Sequence, residues 1–331
     1  MATTQNDQGP QEIVQHLHAY VDRAVALNGG STRARRPNHR VKFVWPPHPV
    51  SYSYHVLSTD WKGSASFEAY GESFPVQVAN TPFGVFGRCP SIWHEERGET
   101  EEEMLQRLRV TSQPLFDRQL AINVALERPG RFTGSIQELG RCDLVKLLYC
   151  SDRDVANDAS IEIEVHASDR IFFPALVSII ADRRHPLRRS AQWCVLDLFE
   201  DLPSFCQNAQ DEASAIMAMK GLIWDAEDDY ARTIYKAGVV LGGHIPHAHG
   251  GPTLIECLEA PSRIGRRAAI HGLFHVVEWM PEMRDTVVSE LQKSAKNDPD
   301  EVLRNYAAMM ADDIANSDTD HTPDPMFPEE D

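Results

Sequence analysis

His271 and His275 lie four residues apart in a stretch of helical periodicity, and Glu278 follows three residues later. On an α-helix that spacing puts the three side chains on one face. Upstream, the run Gly242-Gly243-His244-Ile245-Pro246-His247-Ala248-His249-Gly250-Gly251 offers three more imidazoles. Imidazoles with a carboxylate form a donor set that suits zinc or iron, so His244, His247, His249, His271 and His275 are the candidate metal ligands. Their spacing matches no motif with a defined mechanism. A solvated, glycine-flanked surface loop is the competing reading. No cofactor is expected from the sequence.

Other catalytic chemistry finds little support. There is no GxSxG elbow, no Walker-type phosphate loop, and no cysteine beside a recognisable base. The glycine-rich Gly84-Val85-Phe86-Gly87-Arg88 follows a turn and reads as the edge of a strand meander. Non-enzymatic function is therefore the main reading. Basic side chains gather in two places, Arg183, Arg184, Arg188 and Arg189, and then Arg263, Arg266 and Arg267. Arg188, Arg189, Arg266 and Arg267 are the candidate partner-binding residues, provided they do not pair instead with nearby acids such as Asp182, Asp225 and Asp228.

The whole chain carries a formal charge of −17 over 331 residues. That field repels phosphate backbones and anionic membrane surfaces, so a protein partner is expected rather than nucleic acid. The local cations Arg33, Arg35, Arg36, Arg40 and Lys42 sit among glycine and proline and read as a linker. No apolar run approaches the ~20 residues of a membrane span. Cys89, Cys142, Cys150, Cys194, Cys206 and Cys257 show no CxxC spacing, and read as reduced core residues of a cytoplasmic protein.

These residues must be positioned by elements that the periodicity outlines. Residues 1–40 are expected to form a short amphipathic helix, with Ile13, Leu17, Tyr20 and Val21 on its stripe, followed by a flexible linker. Residues 41–135 are expected to form a small α+β module. In it Phe67, Ala69, Phe74, Val76 and Val78 alternate with polar neighbours, with a turn at Gly71-Glu72, another at Asn80-Thr81-Pro82, and an earlier strand at Tyr52, Tyr54 and Val56. Thr100 and Glu103 form a capping box ahead of Met104, Leu105 and Leu108, and Leu115, Phe116, Leu120 and Val124 make a second helical stripe. Residues 316–331 are acidic, contain three prolines, and are expected to be a disordered tail.

From 136 to 315 only helices are expected, and they come in pairs. An apolar helix ends in a turn with Asp or Pro, and the next helix opens with Arg and Ala. Leu176, Ile179 and Ile180 precede Asp182 and Pro186, then Arg188, Arg189, Ala191 and Val195. Met219, Leu222 and Ile223 precede Asp225, then Arg232 and Ala237. Leu254 and Leu258 precede Pro261, then Ile264, Arg266, Arg267, Ala268 and Ala269. Val287 and Leu291 precede Asp298-Pro299, then Val302, Arg304 and Ala307, and a degenerate first unit runs from Leu144 through Asp152 to Val155 and Ala159. The second-helix starts Val155, Leu187, Tyr230, Ile264 and Val302 are separated by 32, 43, 34 and 38 residues, near the ~40–47 of HEAT and armadillo repeats.

In the turn Asp or Pro and the Arg-Ala helix head, residues 140–315 resemble the HEAT-like, armadillo-type repeat family. The resemblance implies an α-solenoid, in which each helix pair needs neighbours to bury its apolar faces. Some HEAT-repeat proteins, the deoxyhypusine hydroxylases among them, are metal enzymes built on paired His-Glu dipeptides. Here that dipeptide occurs only at His94-Glu95, outside the repeats. The expectation is thus a mostly α protein, a HEAT-like α-solenoid with a small N-terminal α+β module (antiparallel meander plus helices), acting as a protein-binding adaptor, assembly factor or inhibitor. The alternative is a metal-dependent or small-molecule-binding enzyme that uses the histidines between repeats.

Overall fold

The computed structural model describes residues 9–33, 61–69, 72–90, 92, 94–128, 135–226, 231–245 and 249–316. The chain divides into two compact units, Met1–Ala34 with Gly140–Asp331, and Arg35–Leu139. The linker arginines from 35 onward, the strand expected at Tyr52 to Val56, and the acidic tail from 317 lie outside the described residues. Helix α1 (Pro10–Leu27) belongs to the first unit. It buries Ile13, Leu17 and Val21, so the amphipathic stripe near the N-terminus docks on the helical unit rather than standing apart from it.

The smaller unit holds a four-stranded antiparallel sheet in the order β1 (Trp61–Ala69), β2 (Glu72–Thr81), β3 (Gly84–Cys89), β4 (His94–Gly98). Phe67 pairs with Phe74, and Ala65 with Val76, so the alternating apolar set faces one side. Ala69 pairs with Glu72. Glu72, which the sequence expectation puts in the turn, therefore belongs to β2, in the register in which Phe67 and Phe74 face each other. Helix α2 (Glu101–Thr111) opens on the expected capping box, with Thr100 Oγ1 accepting from the Glu103 amide at 3.2 Å and Glu103 Oε2 accepting from the Glu99 amide at 2.9 Å. It lays Met104 and Leu108 on the sheet, where Gly87 leaves room for the Met104 sulfur.

Helix α3 (Gln113–Ala125) is oriented differently from the sequence expectation. Phe116 enters an aromatic cluster with Phe74, ring centroids 4.8 Å apart, and Phe67, 5.8 Å apart. Anchoring that ring turns Gln119 and Ile122 inward. Leu115, Leu120 and Val124, the other members of the expected stripe, face solvent, Val124 being 69% exposed.

The larger unit is helical throughout its described residues after 140. Its elements are α4 (Arg141–Leu147), α5 (Arg153–Val165), α6 (Phe173–Ala181), α7 (Arg188–Leu198), the single turn α8 (Leu202–Phe205), α9 (Ala209–Trp224), α10 (Ala231–Val239), α11 (Gly251–Cys257), α12 (Arg263–Trp279), α13 (Arg284–Asn297) and α14 (Glu301–Asn316). A π-helical turn, Val240–His244, extends α10. Helices α4, α6, α9, α11 and α13 pair with α5, α7, α10, α12 and α14 in turn, and α5, α7, α10, α12 and α14 also pack each on the next. Helix α1 packs on α4 and α6. Nearly all the apolar stripe residues that the sequence indicates are buried, from Leu144 and Val155 to Leu291 and Met310, with Val302 an exception at 53% exposure.

The turn acids cap and brace these helices. Asp152 accepts from the amides of Asp154 and Val155 at 3.0 and 3.3 Å, and Asp300 accepts from Val302 at 2.9 Å, satisfying amides that open α5 and α14. Asp182 accepts from the Arg184 amide at 2.8 Å and from the Tyr149 hydroxyl at 3.2 Å. Among the described residues no helix is long and apolar enough to cross a membrane.

Candidate functional site

The contact between α10 and α12 is made by small residues. A methyl group added at Gly238 would fall on the Ala268 carbonyl, and one at Gly242 on the Gly272 carbonyl; one at Gly272 would stand 2.5 Å from the Gly238 oxygen. Gly238 and Gly242, like Ala268 and Gly272, are four apart, so each helix presents a shallow seam to the other. The close approach brings long side chains beside this seam into mutual reach.

Those side chains form a continuous row. The Trp193 ring on α7 lies under Lys236 of α10, whose Nζ is 4.5 Å from the ring centroid, with the exposed Arg232 guanidinium 5.8 Å away. Lys236 also pairs with Asp197, and with Glu200 at 3.5 Å. Burial pulls its ammonium down to about 8, which leaves it charged at neutral pH. Tyr235, next along α10, has Arg267 of α12 over its ring at 4.5 Å and the His271 ring at 4.4 Å. His271 Nδ1 then meets the Tyr306 hydroxyl of α14 at 3.0 Å, and His271 Nε2 meets His275 Nε2 at 3.1 Å. His275 Nδ1 donates to Glu278 Oε2 at 2.7 Å.

The candidate metal ligands among the described residues thus do not gather at one point. His271 and His275 converge. His244 turns its Nδ1 to the Glu200 carbonyl oxygen at 3.1 Å, His249 is exposed, and His247 lies outside the described residues. No group of three or more His, Cys, Asp or Glu side chains arranged for a metal occurs among the described residues.

The four candidate partner-binding arginines separate as well. Arg188 is 2% exposed and donates to the carbonyl oxygens of Thr32, at 2.5 Å, and His185, at 3.1 Å. Arg266 is 7% exposed. It forms a two-point pair with Asp298, at 2.7 and 3.2 Å, and donates to the Ala260 and Pro261 carbonyls at 2.9 and 3.0 Å. Both are internal braces that join successive turns, so neither can serve as a surface contact. Arg189 and Arg267 are half-buried, and only Arg267 belongs to the row across α10 and α12.

A second histidine environment lies where α1 meets the α6–α7 connection. His185 is buried against Tyr149 and Tyr20, ring centroids 4.2 and 5.2 Å away, and its Nδ1 accepts from the Leu187 amide at 2.9 Å. Burial, reinforced by Arg188, holds its pKa down to about 3. Five of the six cysteines are buried. None forms a disulfide, and burial pushes the thiols of Cys150, Cys194 and Cys206 up to about 11 and that of Cys257 to about 12.

Trp193, Tyr235, Lys236 and Tyr306 were not singled out in the sequence. The small-residue pairs at 238/242 and 268/272 were the available signal for the α10–α12 seam, whereas the approach of Trp193 to Lys236 joins residues with no local pattern. Compared with protein families, with curated proteins and with solved structures, the chain finds no match.

Proposed function

We propose that the helical unit is an α-solenoid of HEAT-like repeats and that it works as an adaptor, assembly factor or inhibitor by binding another protein. The contact face is the row on α7, α10 and α12 made by Trp193, Arg232, Tyr235, Lys236 and Arg267. The serial packing of α5, α7, α10, α12 and α14 supports the repeat reading, because stacked second helices give a repeat protein its extended ligand face. The observation that carries the binding reading is the composition of that row. Tryptophan, tyrosine and arginine dominate the energetics of protein interfaces. Here they lie together on the second helices of successive pairs, with Trp193 36% exposed in a chain of net charge −17. Such a face suits a polypeptide with an apolar anchor for Trp193 and a carboxylate for Arg232.

The test is affinity purification of the full chain from its own cells beside Trp193→Ala and Arg232→Glu variants. A partner held by the parent should be lost from both, with Trp193→Ala weakening it by about 30-fold or more, as a hot-spot residue does. Equal recovery with all three proteins would remove this face from the function.

A further inference from the structure

We infer that His271 and His275 are a two-histidine chelate for a late first-row divalent transition ion, with exchangeable positions left on the metal. The two Nε2 atoms point at each other across 3.1 Å. Nitrogen donors at about 2.05 Å from an ion, the usual zinc–imidazole length, span that distance when the N–metal–N angle is about 98°. The angle lies between the octahedral and tetrahedral values, so the separation suits an ion seated to one side of the N···N line once each ring tilts to aim its lone pair at it.

The opposite nitrogen of each ring is already engaged. His275 Nδ1 meets the Glu278 carboxylate at 2.7 Å, and His271 Nδ1 meets the Tyr306 hydroxyl at 3.0 Å. Metal-bound histidines characteristically send the second ring nitrogen to a carboxylate or another hydrogen-bonding group, which fixes the tautomer that leaves Nε2 as the lone-pair donor. Without an ion, one Nε2–H donates to the other Nε2, and the Tyr306 hydroxyl donates to His271 Nδ1. With an ion both Nε2 atoms are bare, His271 carries its proton on Nδ1, and Tyr306 accepts. The change is a tautomer switch of one ring and rotation of one hydroxyl, with no net loss of protons when both rings start neutral.

Two further observations support the site. Tyr235 packs against His271 with ring centroids 4.4 Å apart, and Phe274 and His275 meet edge to face at 5.7 Å, so the rings are held by packing as well as by hydrogen bonds. His275 keeps 21% of its side chain exposed, which leaves a path for an ion. Among the described residues no third His, Cys, Asp or Glu ligand joins them, so the remaining positions are open to water or to another oxygen or nitrogen donor. Imidazole donors bind copper(II) more tightly than nickel(II) or zinc(II). The inference is independent of the partner-binding reading, because it concerns an ion rather than a protein surface.

The experiment is calorimetric titration of zinc, nickel and copper(II) salts into the untagged, chelator-treated full chain at neutral pH, with cobalt(II) absorption as a second readout. One equivalent should bind in the micromolar range, copper(II) tightest. His271→Ala and His275→Ala should each abolish the tight phase, Tyr306→Phe and Glu278→Gln should weaken it by about 10-fold or more, and His244→Ala should leave it unchanged. Melting curves identify a variant that fails to fold. In that event the folded Tyr306→Phe and Glu278→Gln proteins decide, because a purely structural role would leave their metal affinity equal to the parent's. Absence of stoichiometric binding, or binding that survives both histidine changes and is lost with His244→Ala, would overturn the site.

Discussion

The helical unit treats His185 and the pair His271 and His275 in opposite ways. At the α1 and α6–α7 junction, His185 is enclosed by Tyr20 and Tyr149, and Arg188 is turned inward onto backbone carbonyls. Across α10, α12 and α14, His271 and His275 keep their nitrogens in a chain from Tyr306 to Glu278, with Trp193, Arg232 and Arg267 on neighbouring turns. The first environment spends its polar groups on holding helices together. The second leaves comparable side chains at the surface, where they can meet another molecule. Residue type alone does not separate the two; packing partners do.

Arg266 and Arg267 sharpen the contrast, since they are adjacent in sequence and belong to different sides of it. Replacing Arg266 with alanine strands Asp298, which is 6% exposed, and breaking a buried pair in this way costs about 3–5 kcal/mol. Arg267→Ala loses a half-buried cation–π contact worth about 0.5–1 kcal/mol. Chemical denaturation of the two variants should show that difference, and equal losses would mean that Arg266 is less enclosed than described.

A smaller effect comes from pH. His185 has a folded pKa of about 3 against an ordinary value of 6.5, so the unfolded chain binds the extra proton between those limits. Stability therefore rises with pH through that window and is lost as pH falls below 6.5. At pH 5 the loss from this one group is about 2 kcal/mol. His185→Gln, which keeps an acceptor for the Leu187 amide, should flatten the pH dependence of the denaturation midpoint between pH 5 and 7. An unchanged slope would show that His185 is not enclosed in solution.

Much of this architecture was legible in the sequence. Helical periodicity located the paired helices from Leu144 to Met310, and the alternation of Phe74, Val76 and Val78 gave the inward face of the sheet. What the sequence did not convey were choices made by long-range contacts. Arg188 and Arg266 resembled a basic ridge because the acceptors that draw Arg188 inward include Thr32, and because Asp298 lies a full helix pair beyond Arg266. The face of α3 was misjudged because one ring, Phe116, outweighs three aliphatic side chains once Phe67 and Phe74 are in place. His244 and the α12 pair looked like one cluster, but the Glu200 carbonyl claims the His244 ring.

The most direct test of the contrast between enclosed and open regions is hydrogen–deuterium exchange of the chain alone and in complex with the partner it retains. The expected result is added protection in 188–198, 231–239 and 263–279, with the α1, α4 and α6 segments unchanged. Protection confined to 61–125, or to α4, α6 and α9, would contradict a binding face on α7, α10 and α12.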